Sequence, residues 1–172
     1  VILKEKVREA LARLQLDEVY NSTLVGDEEL FGEGQKGRIL KTEFPPVEVA
    51  NPIAEDKKYL RPNLVSLLLK NVVDNARFYE SVRVFEIGKV FLKTHSGIKE
   101  RLALGIALGA KKEPRLILEL KGLIDEFFKA MGLQDFFFRE DGKTLRVESD
   151  HHVIARLELI SLPKNWFAAI AE

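Results

Sequence analysis

Few side chains in this 172-residue sequence have types and spacings suited to chemistry, and they are scattered along its length. Arg61 and Arg83 each carry a guanidinium that can grip a phosphate or carboxylate through two parallel hydrogen bonds. An arginine flanking a helix start or lying on a sheet is more often a surface or ion-pairing residue. His151 and His152 are adjacent, so on an extended segment their rings point to opposite faces, and no third ligand stands at a diagnostic spacing. A polar turn accounts for them. Gly142-Lys143-Thr144 matches the end of a phosphate-binding loop, but Phe137 stands where that loop needs glycine, and no helical pattern follows. The carboxylate pairs Glu28-Glu29 and Glu55-Asp56 lie in polar segments with no apolar pocket to fit them for acid–base work. Ser22, Ser66, Ser81 and Ser96 lack the context of a nucleophile elbow. Asn71 and Asn75, one helical turn apart, suit a helix partner and a solvated shoulder equally well. The residues themselves therefore identify no catalytic, cofactor-binding or metal site.

The elements that must hold these residues are easier to read. Val7, Ala10, Leu11 and Leu14 fall at the spacing of an amphipathic helix. Val19, Tyr20, Thr23 and Val25 suit a pleated surface, which predicts a strand within Asp17 to Val25. Gly32, Gly34, Gly37 and many charges make Asp27 to Glu43 a loop. Pro45-Pro46 forbids a central strand, after which Val47 and Val49 form a short extended piece. Beyond Pro62, the apolar face of Leu64, Leu67, Leu68, Val72 and Ala76 predicts a second helix ending near Arg77. Val82 to Phe91 is apolar on both alternating faces and is expected to lie centrally in a sheet, with a turn at His95 to Gly97.

Arg101 to Ala110 alternates most cleanly. Leu102, Leu104, Ile106 and Leu108 point one way, and Ala103, Gly105, Ala107 and Gly109 form a flat face on the other side. Glycine inside a strand weakens it unless something approaches closely, and a helix packed on the flat face is the favoured occupant over a ligand. Leu116 to Met131 keeps an apolar helical period for about four turns, with Gly132 placed to take a left-handed cap. Phe136 to Arg139 and Leu145 to Glu148 form a hairpin about Asp141-Gly142, Val153 to Ile160 adds a strand, Pro163 ends it, and Trp166 to Ala171 supplies one more.

Lys plus Arg number 27 and Asp plus Glu number 27, so any contact with a polyanion has to be local. There is no cysteine, which removes disulfides, thiolate nucleophiles and zinc–thiolate sites and suits a cytoplasmic chain. No apolar run approaches the length of a membrane span, and Val1-Ile2-Leu3 followed by Lys4-Glu5-Lys6 lacks the apolar core of a signal peptide. A start at Val1 fits an excerpt of a longer polypeptide, and the length fits one domain, residues 1–172.

One stretch says more than its chemistry does: Asn51-Pro52-Ile53, then Leu60-Arg61-Pro62-Asn63-Leu64, then Arg83-Val84-Phe85-Glu86-Ile87-Gly88-Lys89-Val90-Phe91. With Asp17-Glu18-Val19 before it and Leu120-Lys121-Gly122 after it, this order resembles the synthetase-like core of the bacterial-type β subunit of phenylalanyl-tRNA synthetase. The sequence departs from the family pattern at Gln15-Leu16, where the family has Gly-Phe, at Pro62-Asn63 and at Glu119.

The resemblance implies an α+β domain with an antiparallel or mixed sheet flanked by helices, of the class II aminoacyl-tRNA synthetase type. It implies no catalytic, cofactor or metal residue here, because the ATP-gripping arginine of that class is not recognisable in Leu92-Lys93-Thr94, nor is the second one near Lys164-Asn165-Trp166-Phe167. The implied role is a noncatalytic core that supports a catalytic α subunit in a heterotetramer, with ATP and magnesium used by the holoenzyme and tRNA(Phe) reached through it. Two alternatives stand beside it: an adenylate-forming domain using Arg61, Arg83 and the strand around Gly105, and a free-standing interaction module.

Overall fold

The strand with the cleanest alternation ties the architecture together, because its two faces pack against different helices. In a computed structural model that describes residues 2–31, 45–111, 115–141, 144–150, 152–162 and 166–172, the chain runs α1 (Ile2–Arg13), β1 (Asp17–Glu18), β2 (Leu24–Val25), α2 (Asp27–Phe31), β3 (Val47–Glu48), a 3-10 turn (Glu55–Lys57), β4 (Tyr59–Leu60) and α3 (Val65–Asn75). It continues through β5 (Ser81–Thr94), β6 (Gly97–Lys111), α4 (Leu116–Ala130), β7 (Phe137–Asp141), β8 (Thr144–Ser149), β9 (His152–Leu162) and β10 (Trp166–Ala171). Seven strands form one sheet in the order β1-β5-β6-β10-β9-β8-β7, and β2-β4-β3 form a small second sheet. All neighbours are antiparallel except β1, which lies parallel to β5 with Asp17 opposite Val84.

On one face of the large sheet, Leu11 of α1 and Leu120, Ile124 and Phe127 of α4 bury against Phe85, Ile106, Leu108 and Leu157. On the other face, Leu64 and, from α3, Leu68 and Val72 bury against Val84, Ala107, Ile160 and Ile170. The flat face of β6 is what lets α3 come this close. A Cβ on Gly105 would stand 2.6 Å from Leu68 Cδ1 and 3.0 Å from Leu64 Cβ, and one on Gly109 would collide with Val72. The helix-on-glycine expectation holds. So does the end of α4, where Gly132 takes φ +84° and Leu133 N–H donates to the Phe128 carbonyl at 2.9 Å.

Three local expectations need correcting. The single strand within Asp17 to Val25 is two short strands in different sheets, because the chain turns between them so that Asn21 reaches Glu86 of β5. The loop from Asp27 to Glu43 begins with α2, in which Leu30 is buried and Glu29 accepts the Gly26 N–H at 3.0 Å; Gly32, Gly34 and Gly37 lie outside the described residues. Val82 to Phe91 lies within β5, which is second from the sheet edge, and β10 is the middle strand. Its two apolar faces reflect the helices packed above and below it, and alternation carries no information about how many strands lie to either side. The turn at Gly142, His151 and Pro163 also lie outside the described residues. Among those described, no helix is long and apolar enough to cross a membrane.

Candidate functional site

Where α3 begins against the sheet, polar residues from four parts of the chain meet inside an apolar surround. Arg61, 3% exposed, reaches over Gly88 of β5 to Glu86, 1% exposed, with Arg61 Nη1 2.6 Å from Glu86 Oε1. The same guanidinium donates from Nε to the Lys89 carbonyl at 2.9 Å and from Nη1 to the Asn21 carbonyl at 3.4 Å. Asn21 Nδ2 donates to Glu86 Oε2 at 2.8 Å, and Asn71 Nδ2 of α3 donates to Asn21 Oδ1 at 3.2 Å. Each charge is thus paired and hydrogen-bonded, the condition under which buried ions persist. Gly88 is a space requirement here, since a Cβ at that position would overlap Arg61.

Next to this network Asn63, 5% exposed, accepts the Ser66 N–H at 3.3 Å through Oδ1, which satisfies a free donor in the first turn of α3, while its Nδ2 is buried with no hydrogen-bond partner among the described residues. Glu172 accepts the Leu64 N–H at 3.4 Å through Oε2, and its Oε1 lies 3.9 Å from Arg101 Nη2. Burial dominates over the Leu64 hydrogen bond and the nearby Arg101 and Arg61, so the Glu172 carboxyl is pushed up to about 6. Asn63 and Glu172 open onto a cavity of about 620 Å³, whose far walls are Arg101 and Leu102 of β6 and Ile154 and Arg156 of β9.

The candidate residues are brought into ion pairs and packing contacts. Arg83 on β5 pairs with Glu119 of α4 and donates to the Leu14 carbonyl at 3.1 Å, locking α1 and α4 to the sheet. Gly105 is covered by α3. Asn71 joins the buried network, whereas Asn75 donates back to the Asn71 carbonyl at 2.8 Å. Ser22 and Ser66 bond locally, to Leu24 and Asn63, and Ser96 meets Thr94. Among the described residues, no group of three or more His, Cys, Asp or Glu side chains is placed to hold a metal ion. Glu86, Asn21, Asn63 and Glu172 were not singled out by sequence reasoning. For Glu86 a signal existed, because a carboxylate shares a strand face with Val82, Val84 and Val90 and must find a partner there.

Residues 2–152 match the family model described as the phenylalanyl tRNA synthetase beta chain CLM domain. The chain is 30% identical over 156 residues, 81% of its length, to the phenylalanine–tRNA ligase beta subunit of Syntrophus aciditrophicus (strain SB), and 35% identical over 115 residues, 62% of its length, to that of Aquifex aeolicus (strain VF5). It spans only 19% and 14% of those two relatives. Among solved structures, pyrrolysyl-tRNA synthetase from Desulfitobacterium hafniense superimposes with a TM-score of 0.76 over 98% of this chain and 64% of that one, at 19% identity. That likeness establishes the class II synthetase fold.

Proposed function

The chain belongs to the phenylalanyl-tRNA synthetase β-chain family, and from that membership we propose that residues 1–172 are one domain, the noncatalytic synthetase-like core of a longer β subunit. Its role is to support a catalytic α subunit within a heterotetrameric, cytoplasmic phenylalanine–tRNA ligase. ATP and magnesium act on the α subunit, and tRNA(Phe) is reached through the assembled enzyme.

The observation that carries this reading is the state of Arg61. A class II framework needs an available guanidinium to hold a nucleotide triphosphate. Here Arg61 lies buried beneath the start of α3 and is engaged by Glu86, Lys89 and Asn21. Arg83, on the opposite face, is engaged by Glu119. The residues present do not fit the triphosphate, so no adenylation step is drawn through them. A buried ion pair of this kind supports a scaffold role, because it ties the segment before α3 to β5.

The test is phenylalanine-dependent ATP–pyrophosphate exchange with full-length chains. The expected outcome is exchange when α and β chains are combined and background signal from the β chain alone. Robust exchange by the β chain alone would overturn the noncatalytic reading, and failure of full-length α and β chains to copurify would overturn the supporting role.

A further inference from the structure

The cavity beside Glu172 has the shape of a missing length of strand. β10 pairs with β6 from Trp166 opposite Lys111 to Ala171 opposite Ile106, and with β9 from Trp166 opposite Leu162 to Ala171 opposite Leu157. The ladder to β9 runs one residue further, with Arg156 N–H donating to the Glu172 carbonyl at 3.0 Å and Glu172 N–H donating to the Arg156 carbonyl at 3.2 Å. Both flanking strands continue beyond this point, β6 back to Gly97 and β9 back to His152, with no strand between them among the described residues. Because β10 separates them up to Ala171, the gap they enclose there is two strand spacings, about 9.6 Å, which is the room one strand needs.

The gap is dressed for an apolar occupant. Leu102 is 49% exposed, Val153 42% and Ile154 41%, and all three face it. Facing edges with unpaired N–H and C=O groups are the features that a β-sheet protein fills or covers. We infer that the polypeptide directly following Glu172 in the full-length chain fills this gap as a continuation of β10. The chain spans less than a fifth of the two relatives compared above, so such polypeptide is available in proteins of this family. Glu172, held on Arg156, already stands at the mouth of the gap.

Register makes the inference specific. Extending the β6 ladder places the first residue after Glu172 opposite Leu104, the second opposite Ala103, the third opposite Leu102 and the fourth opposite Arg101; on β9 the first stands opposite Ala155, beyond which a bulge against β8 interrupts the register. The first and third point to the face covered by α4, where Ile124, Phe127 and Phe128 line the cavity, so both are apolar. In an antiparallel ladder, alternate residues direct both backbone groups to the same neighbour. Lys111 N–H, which bonds Glu80 on the β5 side, therefore leaves Leu104 and Leu102 aimed into the gap from β6, whereas on β9 a bulge opposite Val147 and Glu148 ends the alternation at Ala155 and His152 pairs with Ser149 of β8.

Two measurements on the full-length chain test this. Its sequence is expected to carry apolar residues at the first and third positions after Glu172; a charged residue at both would overturn the inference. Residue-resolved hydrogen exchange is expected to show the amides of Leu102 and Leu104 protected by about a hundredfold or more, as ladder amides are. Proline at the second position after Glu172 is expected to remove that protection from these two amides, with the Ile106 amide, on the completed part of the ladder, as the reference that the domain is folded. Free exchange at the two amides in the unsubstituted chain overturns the inference. Protection that survives the proline while Ile106 stays protected shows that another segment fills the gap, and overturns it equally.

Discussion

At the residue scale, the Arg61–Glu86 pair tests whether a buried charge network or the apolar packing around it holds the start of α3. Removing one partner strands a charge in a site less than 5% exposed, whereas replacing both with apolar side chains strands none. Arg61→Met alone is expected to cost about 3–5 kcal/mol in urea unfolding, and Arg61→Met with Glu86→Leu much less than the sum of the two single changes. Additive single costs would show that the two charges do not act as a pair. Glu172 makes a different prediction. Its carboxyl titrates near 6 in the folded chain against an ordinary 4.5, so ionisation is easier when the chain unfolds. Stability from this group is complete below pH 4.5 and is lost as the pH rises through 6, by about 2 kcal/mol. Glu172→Gln is expected to flatten the stability profile over that window, and an unchanged slope in the variant would assign it to another group. That Glu86 needs a partner was legible from its strand face, but which groups it meets was not, because Asn21 and Glu86 stand 65 residues apart in sequence and meet only in the finished fold.

At the element scale, periodicity told what each segment is and left open what lies beside it. α4 was readable because Leu116, Leu120, Leu123, Ile124 and Phe127 repeat with the helical period and all five are buried. The flat face of β6 was readable because Gly105 and Gly109 recur every fourth residue on one side of a strand. The place of β5 in the sheet was not, since burial of its faces says nothing about its edges. Gly105→Val is expected to destabilise the domain by about 1–3 kcal/mol through overpacking against Leu68 and Leu64. Adding Leu68→Ala is expected to restore part of that loss. If the second substitution only deepens the first, contact with α3 is not what confines position 105 to glycine.

At the scale of the whole molecule, the resemblance supplied an antiparallel or mixed sheet flanked by helices and only the folded chain gives the order of its strands, while composition stopped at a soluble mixed domain without a global charge bias. What the chemistry-bearing residues do was legible only as a choice between ligand grip and ion pair, and in the fold both Arg61 and Arg83 stand in ion pairs. The position of β10 has a further consequence for how the molecule is made. Its residues 166–171 leave the ribosome after every other described strand of the sheet, yet they belong in the middle of those strands. Until they emerge, the β5–β6 hairpin and the β7–β8–β9 meander are two separate half-sheets, each ending in a bare edge. A nascent chain in that state is open to wrong pairing, and shielding by a chaperone matters most in the interval before Trp166 to Ala171 slide between β6 and β9.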